Sequence, residues 1–232
     1  MCTRTVSALA HVFEAAGLAT VALSLVRGQA ERGRAPRTLH CEFPLGRPLG
    51  KPRDAAFQLR VLADAFALLP RTDVPVLVDF ADTIDDQSDV PLSCAVPLRN
   101  DESLHPAVDE VLGLRAAYER TFAATGRTGV VRAGGADRVG ELVAAFVLIA
   151  DGVPVAEAGI ELRMIGAAAL DIRAYYEEAA LALADHVPAA RQAESWFYRS
   201  TQTGAVLRQA RDALRAAEVS RGAWFSLVPT GQ

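Results

Sequence analysis

Apolar residues in the first third of the chain follow two spacings, one typical of helices and one typical of buried strands. Residues 3–16 and 54–69 repeat apolar side chains every three or four positions, which predicts two amphipathic helices. Residues 18–25, 37–43 and 74–80 are short apolar runs with β-branched members, as in strands covered on both faces of a sheet. This alternation predicts an α/β fold, with a small, mostly parallel sheet and flanking helices.

Residues at the ends of the two helices define their bounds. In the first helix, Thr3 or Thr5 can act as the N-cap and Gly17 as the C-terminal stop. Asp54 is a suitable N-cap for the second helix, and Pro70 ends it. The predicted apolar face of the first helix consists of Val6, Leu9, Ala10 and Phe13.

Two features between these elements concern their connections. Residues 27–36, RGQAERGRAP, are polar and contain glycine, so we interpret them as a linker that crosses the surface. Pro75 lacks a backbone N–H. We therefore expect either that the third strand lies at the edge of the sheet or that Pro75 stands at the start of that strand.

The pattern changes at residues 81–105, which are acidic and irregular and mark the best domain boundary. Beyond them the spacing predicts mostly helix. We expect helices from Ser103 or Pro106 to about residue 124, over 137–150, over 167–184 and over 189–217 with a break at Gly204, and then a final strand over 223–228. The predicted organisation is an α/β region (1–80), an irregular linker (81–105) and a mostly helical region (106–232).

Composition and charge exclude several classes of function. The chain has 232 residues, is 51% hydrophobic and carries a net charge of −4, so it gives no reason to expect a nucleic-acid or anionic-membrane partner. No apolar run approaches the roughly 20 residues of a membrane span, and the first residues lack the apolar core of a signal peptide. These features predict that the protein is located in the cytoplasm. The three cysteines form neither a disulfide framework nor a CxxC metal site.

A proline- and glycine-rich loop, within residues 36–53 (PRTLHCEFPLGRPLGKPR), is the strongest candidate for a binding site. Its prolines fix the backbone, while Gly46 and Gly50 leave room for a group that approaches the backbone closely. Because the loop lies between a strand and a helix, we expect it at the carboxyl edge of the sheet, where open α/β folds bind ligands. Arg47 and Lys51, with the amides near the two glycines, would suit a carboxylate.

The beginning of the chain suggests a reactive thiol. Cys2 stands directly before the first predicted helix, where unpaired amides lower the pKa of a thiol, and Arg4 is close enough in sequence to help. A doubly wound unit normally opens with a strand, and this sequence opens with a helix. We therefore expect an open sheet edge that another element must cover, which favours a homo- or hetero-oligomer.

The segment CTRTVSALAHVFEAAGLATVALSL, followed by the loop PRTLHCEFPLGRPLGKP and its helix, resembles the selenoprotein B family of glycine, sarcosine, betaine and D-proline reductases. The similarity covers roughly residues 2–80, in the same order of elements. That family carries selenocysteine or cysteine, two residues, then cysteine, between a strand and a helix. Cys2 matches the second member of the motif, and the first would stand two places before Met1.

This resemblance implies reductive cleavage of a C–N bond α to a carboxylate, in a small amino acid or amine carboxylate. A selenolate or thiolate attacks carbon, and a nearby cysteine then closes a selenenylsulfide or disulfide. The implied partners are the carboxylated substrate and a thiol reductant protein or dithiol, with no cofactor besides a selenocysteine upstream of this chain. The catalytic residue implied by the resemblance is Cys2, as resolving thiol. His40, on the second strand, is a candidate general acid on its own account. The implied substrate-binding residues are Arg47, Lys51, Gly46, Gly50 and Arg4.

Several other residues have a structural interpretation beside a chemical one. His40 and Cys41 are neighbours on a strand and point to opposite faces, so at most one lines the site. Cys41 and Cys94 are candidate redox thiols, although each also fits a packed core.

The sequence contains no GxGxxG, Walker, HExxH or GxSxG motif. An alternative is a non-catalytic subunit or small-anion-binding module of an oligomeric complex.

Two further clusters are interpreted as structural. The first contains Asp79, Asp82, Asp85, Asp86 and Asp89. Its spacing lacks the pattern of a calcium loop, so a solvated acidic loop is favoured and no metal is expected. The second is the polar and aromatic segment 186–204. Aromatic residues at helical spacing usually indicate packing, and a partner or ligand role is the alternative.

Overall fold

The structure, a computed structural model, describes residues 2–44, 46–51, 54–84 and 91–229, without the side chains of residues 2, 3, 190 and 191. The chain divides into two compact units, Met1–Gln87 and Ser88–Gln232. The first unit contains α1 (Cys2–Ala15), β1 (Ala22–Ser24), α2 (Arg27–Gly33), β2 (Arg37–His40), α3 (Ala55–Ala67) and β3 (Val76–Asp79). The second contains α4 (Pro106–Gly113), α5 (Arg115–Thr125), α6 (Val139–Ala150), α7 (Ile165–Leu183), α8 (Ala190–Ser200), α9 (Gln202–Ala216) and α10 (Arg221–Trp224).

The strands of the first unit form one parallel sheet in the order β1-β2-β3. Helices connect the successive strands, as parallel pairing requires. The predicted fold class, a small parallel sheet with flanking helices before a largely helical half, is confirmed. The predicted edge position of the third strand is also confirmed, since β3 begins directly after Pro75 and pairs on one side only, with β2.

The segment predicted as a surface linker, residues 27–36, is instead mostly the helix α2. An ion pair between Arg27 and Glu31, one helical turn apart at 3.0 Å, supports the helix, and Ala30 anchors it in the core. Arg34 ends it in the left-handed conformation, with its N–H donating to the Ala30 carbonyl. The helix is short and has one buried side chain, so its sequence carries almost no apolar periodicity.

Aromatic side chains form the core between the sheet and α3. Phe43, Phe57 and Phe80 have ring centroids 5.6–5.8 Å apart in tilted and edge-to-face arrangements. Val61 and Ala65 continue the buried face of α3. Asp54 caps that helix as predicted, since its carboxylate accepts a hydrogen bond from the Phe57 N–H at 3.0 Å.

Helix α1 exposes the three large residues of its predicted apolar face and buries only Ala10 of that face. Val6, Leu9 and Phe13 are 40–46% exposed, and the buried positions are Ser7 and Ala10. The small residues are buried because α1 lies close to α2: a Cβ on Gly33 would stand only 2.8 Å from the Cβ of Ser7. The hydrophobic spacing therefore predicted the helix correctly but not the face that packs within this unit.

A charged contact fixes the end of α1 near the amino edge of the sheet. Glu14, in the last turn of α1, binds the guanidinium of Arg37 at 2.6 Å and accepts hydrogen bonds from the N–H and hydroxyl of Thr20. Arg37 is the first residue of β2 and also donates to the Arg71 carbonyl at 2.8 Å. Gly17 ends the helix with a positive φ, as predicted. The N-caps proposed at Thr3 or Thr5 are wrong, because α1 already begins at Cys2.

The second unit is a helical bundle around a single apolar core. The largest fully buried side chains include Tyr176, Tyr198, Phe146 and Phe197. Buried carboxylates stabilise its loops and helix ends. Glu110 accepts hydrogen bonds from the Tyr176 hydroxyl and from the amides of Gln202 and Thr203 at the start of α9.

Three predicted boundaries in this unit are wrong. The helix from residue 103 to 124 is two helices, because Leu114 ends α4, and His105 rather than Ser103 caps it. The break predicted at Gly204 falls at Thr201, whose hydroxyl accepts from the Gly204 N–H and donates to the Phe197 carbonyl. The final strand over 223–228 is absent within the described residues, and its first residues belong to α10.

Candidate functional site

The carboxyl edge of the sheet brings together the last residues of all three strands. Ser24 pairs with His40, and His40 pairs with Asp79, so the three strand ends lie side by side. A different segment follows each strand at this edge: α2 follows β1, the proline- and glycine-rich loop follows β2, and residues 80–84 follow β3. This edge is where open α/β sheets bind ligands.

An arginine and a histidine converge on one carboxylate at this edge. Asp79 Oδ1 is in contact with the guanidinium of Arg27 and lies 2.9 Å from His40 Nδ1. The hydrogen bond from Arg27 is the main cause that lowers the pKa of Asp79, and the bond to His40 adds to it. We call Arg27, His40 and Asp79 the edge cluster.

The edge cluster orients the imidazole of His40. An ionised carboxylate only accepts hydrogen bonds, so the Nδ1 atom that faces Asp79 carries a proton. The other ring nitrogen, Nε2, is then the atom through which His40 can meet a ligand or exchange a proton. A histidine held by a carboxylate in this way is a recurrent arrangement in acid–base sites.

The loop after β2 is fixed by two turns and by close packing. Arg47 N–H donates to the Pro44 carbonyl at 3.0 Å, and Gly50 N–H donates to the Arg47 carbonyl at 2.9 Å. Gly46 and Gly50 both have positive φ, and a Cβ on Gly50 would collide with the ring of Phe57. Gly50 is therefore needed for packing, and its amide, predicted to receive a carboxylate, is already used inside the loop.

The cationic side chains of the loop are not paired with any carboxylate of the described residues. Arg47 is half-buried, while Lys51 is exposed with its Nζ 5.4 Å from the centre of the Phe57 ring. Two contacts hold the backbone at Lys51, whose carbonyl accepts from Gln58 Nε2 and from the Asp54 N–H. Arg4, on the first turns of α1, is exposed. These cations keep the capacity to bind an anion.

The structure describes the side chains of Cys41 and Cys94 but not that of Cys2. Cys2 is the first residue of α1, but its side chain lies outside the described part of the chain, so its predicted role stays a prediction. Cys41 is fully buried, and burial, with a smaller effect from Asp64, raises the pKa of its thiol to about 11. Cys94 lies in the core of the second unit, and burial raises its pKa as well.

These environments argue against the redox roles predicted for Cys41 and Cys94. A thiol needs to ionise and to meet its partner in order to exchange, and burial opposes both. The alternation predicted for β2 accounts for the contrast with His40. His40 ends the strand and reaches the edge cluster, while Cys41 turns into the core.

Arg27 is the member of the edge cluster that sequence reasoning missed. The segment that begins at Arg27 was interpreted as a linker, so its first residue had no defined position. The available signal was a charged residue three positions after a buried parallel strand, where a βα connection reaches the ligand-binding edge. Asp79 was noticed only as one of several acidic residues.

The two clusters interpreted as structural have different outcomes. Asp82 binds Arg60 at 2.8 Å on the surface, and Asp85, Asp86 and Asp89 lie outside the described residues. In the segment 186–204, the side chains of Trp196, Phe197 and Tyr198 are buried in the core, in agreement with packing.

No family model, curated protein or solved structure matches this chain. Within the ranges that the structure describes, no group of three or more His, Cys, Asp or Glu side chains is placed to hold a metal ion. None of the described helices combines the length and the apolar character needed to cross a membrane.

Proposed function

We propose that the first unit is a thiol- or selenol-dependent reductase module similar to the selenoprotein B family, and that it holds a small amino acid or amine carboxylate at the carboxyl edge of its sheet. The observation that carries the proposal is that the edge cluster lies at the carboxyl ends of the strands and that the cationic loop follows β2 at the same edge. The class of reaction is taken from the resemblance of residues 2–80 to that family.

The proposed reaction needs a carboxylate seat, a proton donor and a resolving thiol. Arg47 and Lys51 serve as the seat, because both are cations without a described carboxylate partner. As a proton donor His40 acts as an imidazolium, which gives its Nε2 proton to the leaving amine and keeps Nδ1–H on Asp79, while Asp79 and Arg27 are positioning residues that hold the ring. Cys2 is the resolving thiol, at the amino end of α1 where helix amides favour a thiolate.

The length and direction of α1 are compatible with this role for Cys2. Glu14 lies near the amino edge of the sheet through its contact with Arg37. Cys2 precedes Glu14 by roughly 18 Å along the helix axis. A strand as short as β2 spans only about 13 Å, so α1 is long enough to reach past the sheet.

The proposed reaction transfers two electrons and two protons to the substrate. The C–N bond breaks, the nitrogen leaves as an amine or ammonia, and the α-carbon gains a hydrogen. A dithiol supplies the electrons and ends as a disulfide. The attacking chalcogen is the residue that the family pattern places two positions before Met1.

Binding tests the carboxylate seat directly. We expect glycine, sarcosine, betaine or D-proline to perturb the NMR signals of residues 40 and 46–51 in the full chain. Arg47→Ala and Lys51→Ala should each weaken that binding roughly tenfold, since each removes a charge-assisted hydrogen bond. Arg32→Ala, on the exposed surface of α2, is the control with the same loss of charge. Binding that survives both loop substitutions would contradict the proposed seat.

Turnover separates the enzyme from the alternative, a small-anion-binding module. The measurement is dithiol-dependent release of ammonia or amine by a chain extended at its start to include the codon two places before Met1. The reductase requires that Cys2→Ser abolish this release. Binding of the carboxylates without release, unchanged by Cys2→Ser, would identify the module instead.

A further inference from the structure

A second candidate binding site lies in the second unit, in an open apolar cavity of about 740 Å³. Its floor is formed by Ile149 at the end of α6, Leu214 near the end of α9, and Ile160, all of which are buried. Other residues of the segment 152–162 complete the lining. Cavities that bind small molecules enclose roughly 300–1,000 Å³, so the volume suits a small ligand.

The sequence builds this cavity with small and flexible residues. Gly152 and Gly159 have positive φ, which lets the chain leave α6, fold over the cavity and return toward α7. Ala213 on α9 and Ala217, which caps the carboxyl end of α9, line the cavity with methyl groups only, so they leave space where longer side chains would fill it. The space is therefore a consequence of residue choice at four positions.

The lining defines the chemical class of the ligand. Among the described residues that line the cavity, the walls contain aliphatic side chains and no lysine, arginine, histidine or aromatic residue. The one charged lining residue, Glu161, lies 2.6 Å from its partner Arg163. An anionic ligand would find no cation within this lining, whereas an uncharged apolar ligand would contact aliphatic side chains.

The backbone at the cavity also offers little to a polar ligand. The carbonyls of Leu148 and Ile149 accept hydrogen bonds from Val153 and Gly152. At α9, the carbonyl of Leu214 accepts from the Val219 N–H. Because these helix ends are already satisfied, binding would gain mainly from the burial of apolar surface. We propose that this cavity binds a small, uncharged, mainly aliphatic molecule, a role separate from the function proposed for the first unit.

A fluorescent probe and two competitors test the proposal on the full chain. N-phenyl-1-naphthylamine, which is neutral, should bind with a saturable rise in fluorescence. Decanol should displace it, and decanoate should compete at least about tenfold more weakly, because its carboxylate loses hydration without gaining a partner. Equal competition by decanol and decanoate would overturn the assignment of an uncharged ligand.

Two neighbouring alanines provide a matched pair of variants. Ala217→Trp places an indole at the rim of the cavity, and we expect it to weaken probe binding roughly tenfold. Ala216→Trp adds the same side chain at an exposed position that does not line the cavity, and binding should be unchanged. Circular dichroism of both variants checks their folding. Probe affinity that falls equally in both variants, or in neither, would overturn the site.

Discussion

Two carboxylates, one in each unit, show how differently the units use charge. Asp171 in α7 is fully buried and accepts hydrogen bonds from the consecutive amides of Val131, Arg132 and Ala133. Asp79 in β3 is more than half exposed, and the partners of its carboxylate among the described residues are the side chains of Arg27 and His40. The first carboxylate fixes a loop of the bundle, whereas the second orients side chains at an edge that solvent and ligands can reach.

Apolar surface does not follow the same division. The second unit buries Tyr176 completely but exposes other apolar side chains, among them Leu98 and Phe225. The first unit likewise leaves Val6 and Phe13 of α1 exposed. The contrast between the units therefore lies in how each places its carboxylates.

The largest effect on stability is expected at Gly204, where α8 and α9 meet. A Cβ at this position would collide with the Phe197 carbonyl and lie 2.8 Å from Tyr198 Cα. Because these are backbone atoms, the helices must separate, and Gly204→Ala should destabilise the second unit by about 4 kcal/mol in urea unfolding.

Gly222→Ala is the control for this substitution, since nothing lies within 4 Å of a Cβ built there. It should change the free energy of unfolding by less than about 1 kcal/mol. Similar losses in both variants would mean that close packing of α8 on α9 does not determine the stability of the bundle.

Asp171→Ala should have the next largest effect. The substitution removes the acceptor of three amide hydrogen bonds and leaves those donors buried, at a cost of about 3 kcal/mol. Asp137→Ala, in the same unit, removes a carboxylate that is almost fully exposed, and the loss should stay near 0.5 kcal/mol, roughly that of a surface pair. Urea unfolding of both proteins would show whether burial sets the difference.

Buried tyrosines make the second unit sensitive to alkaline pH. Burial raises the pKa values of Tyr175 and Tyr198 to about 12, above the ordinary tyrosine pKa of about 10. The unfolded chain therefore loses these protons first, so stability is fully present below pH 10 and falls as the pH rises toward 12. Tyr198→Phe should reduce the slope by up to about 1.4 kcal/mol per pH unit. An identical slope in the variant would exclude Tyr198 as a source.

The general fold of the first unit could be predicted from the sequence because its strands and long helices bury regular apolar faces. The caps at Gly17 and Asp54 followed from local chemistry in the same way. Helix α2 could not be predicted, because one buried alanine and one ion pair leave no periodic signal. The face of α1 that packs depends on the approach of α2, which is a tertiary property.

The candidate site was predictable in part. The position of the loop after β2 and the contrast between His40 and Cys41 followed from strand geometry. The edge cluster depends on the register between β2 and β3, which a single sequence does not specify. The Gly50 amide is used in a turn inside the loop, and the residue types alone do not predict the hydrogen bond of that turn.

The smallest effect on stability is expected from Asp79→Ala, which removes the exposed carboxylate of the comparison. Solvent screens its contacts with Arg27 and His40, so the free energy of unfolding should change by less than about 1 kcal/mol. The imidazole should respond clearly, because nothing else described holds Nδ1: nitrogen chemical shifts of His40 should show the loss of the Nδ1–H preference. Asp73→Ala, which breaks another exposed pair with arginine in this unit, should leave those shifts unchanged. If Asp79→Ala destabilised the chain as strongly as Asp171→Ala while His40 kept its tautomer, the edge cluster would be a structural element, and the contrast between the two carboxylates would not hold.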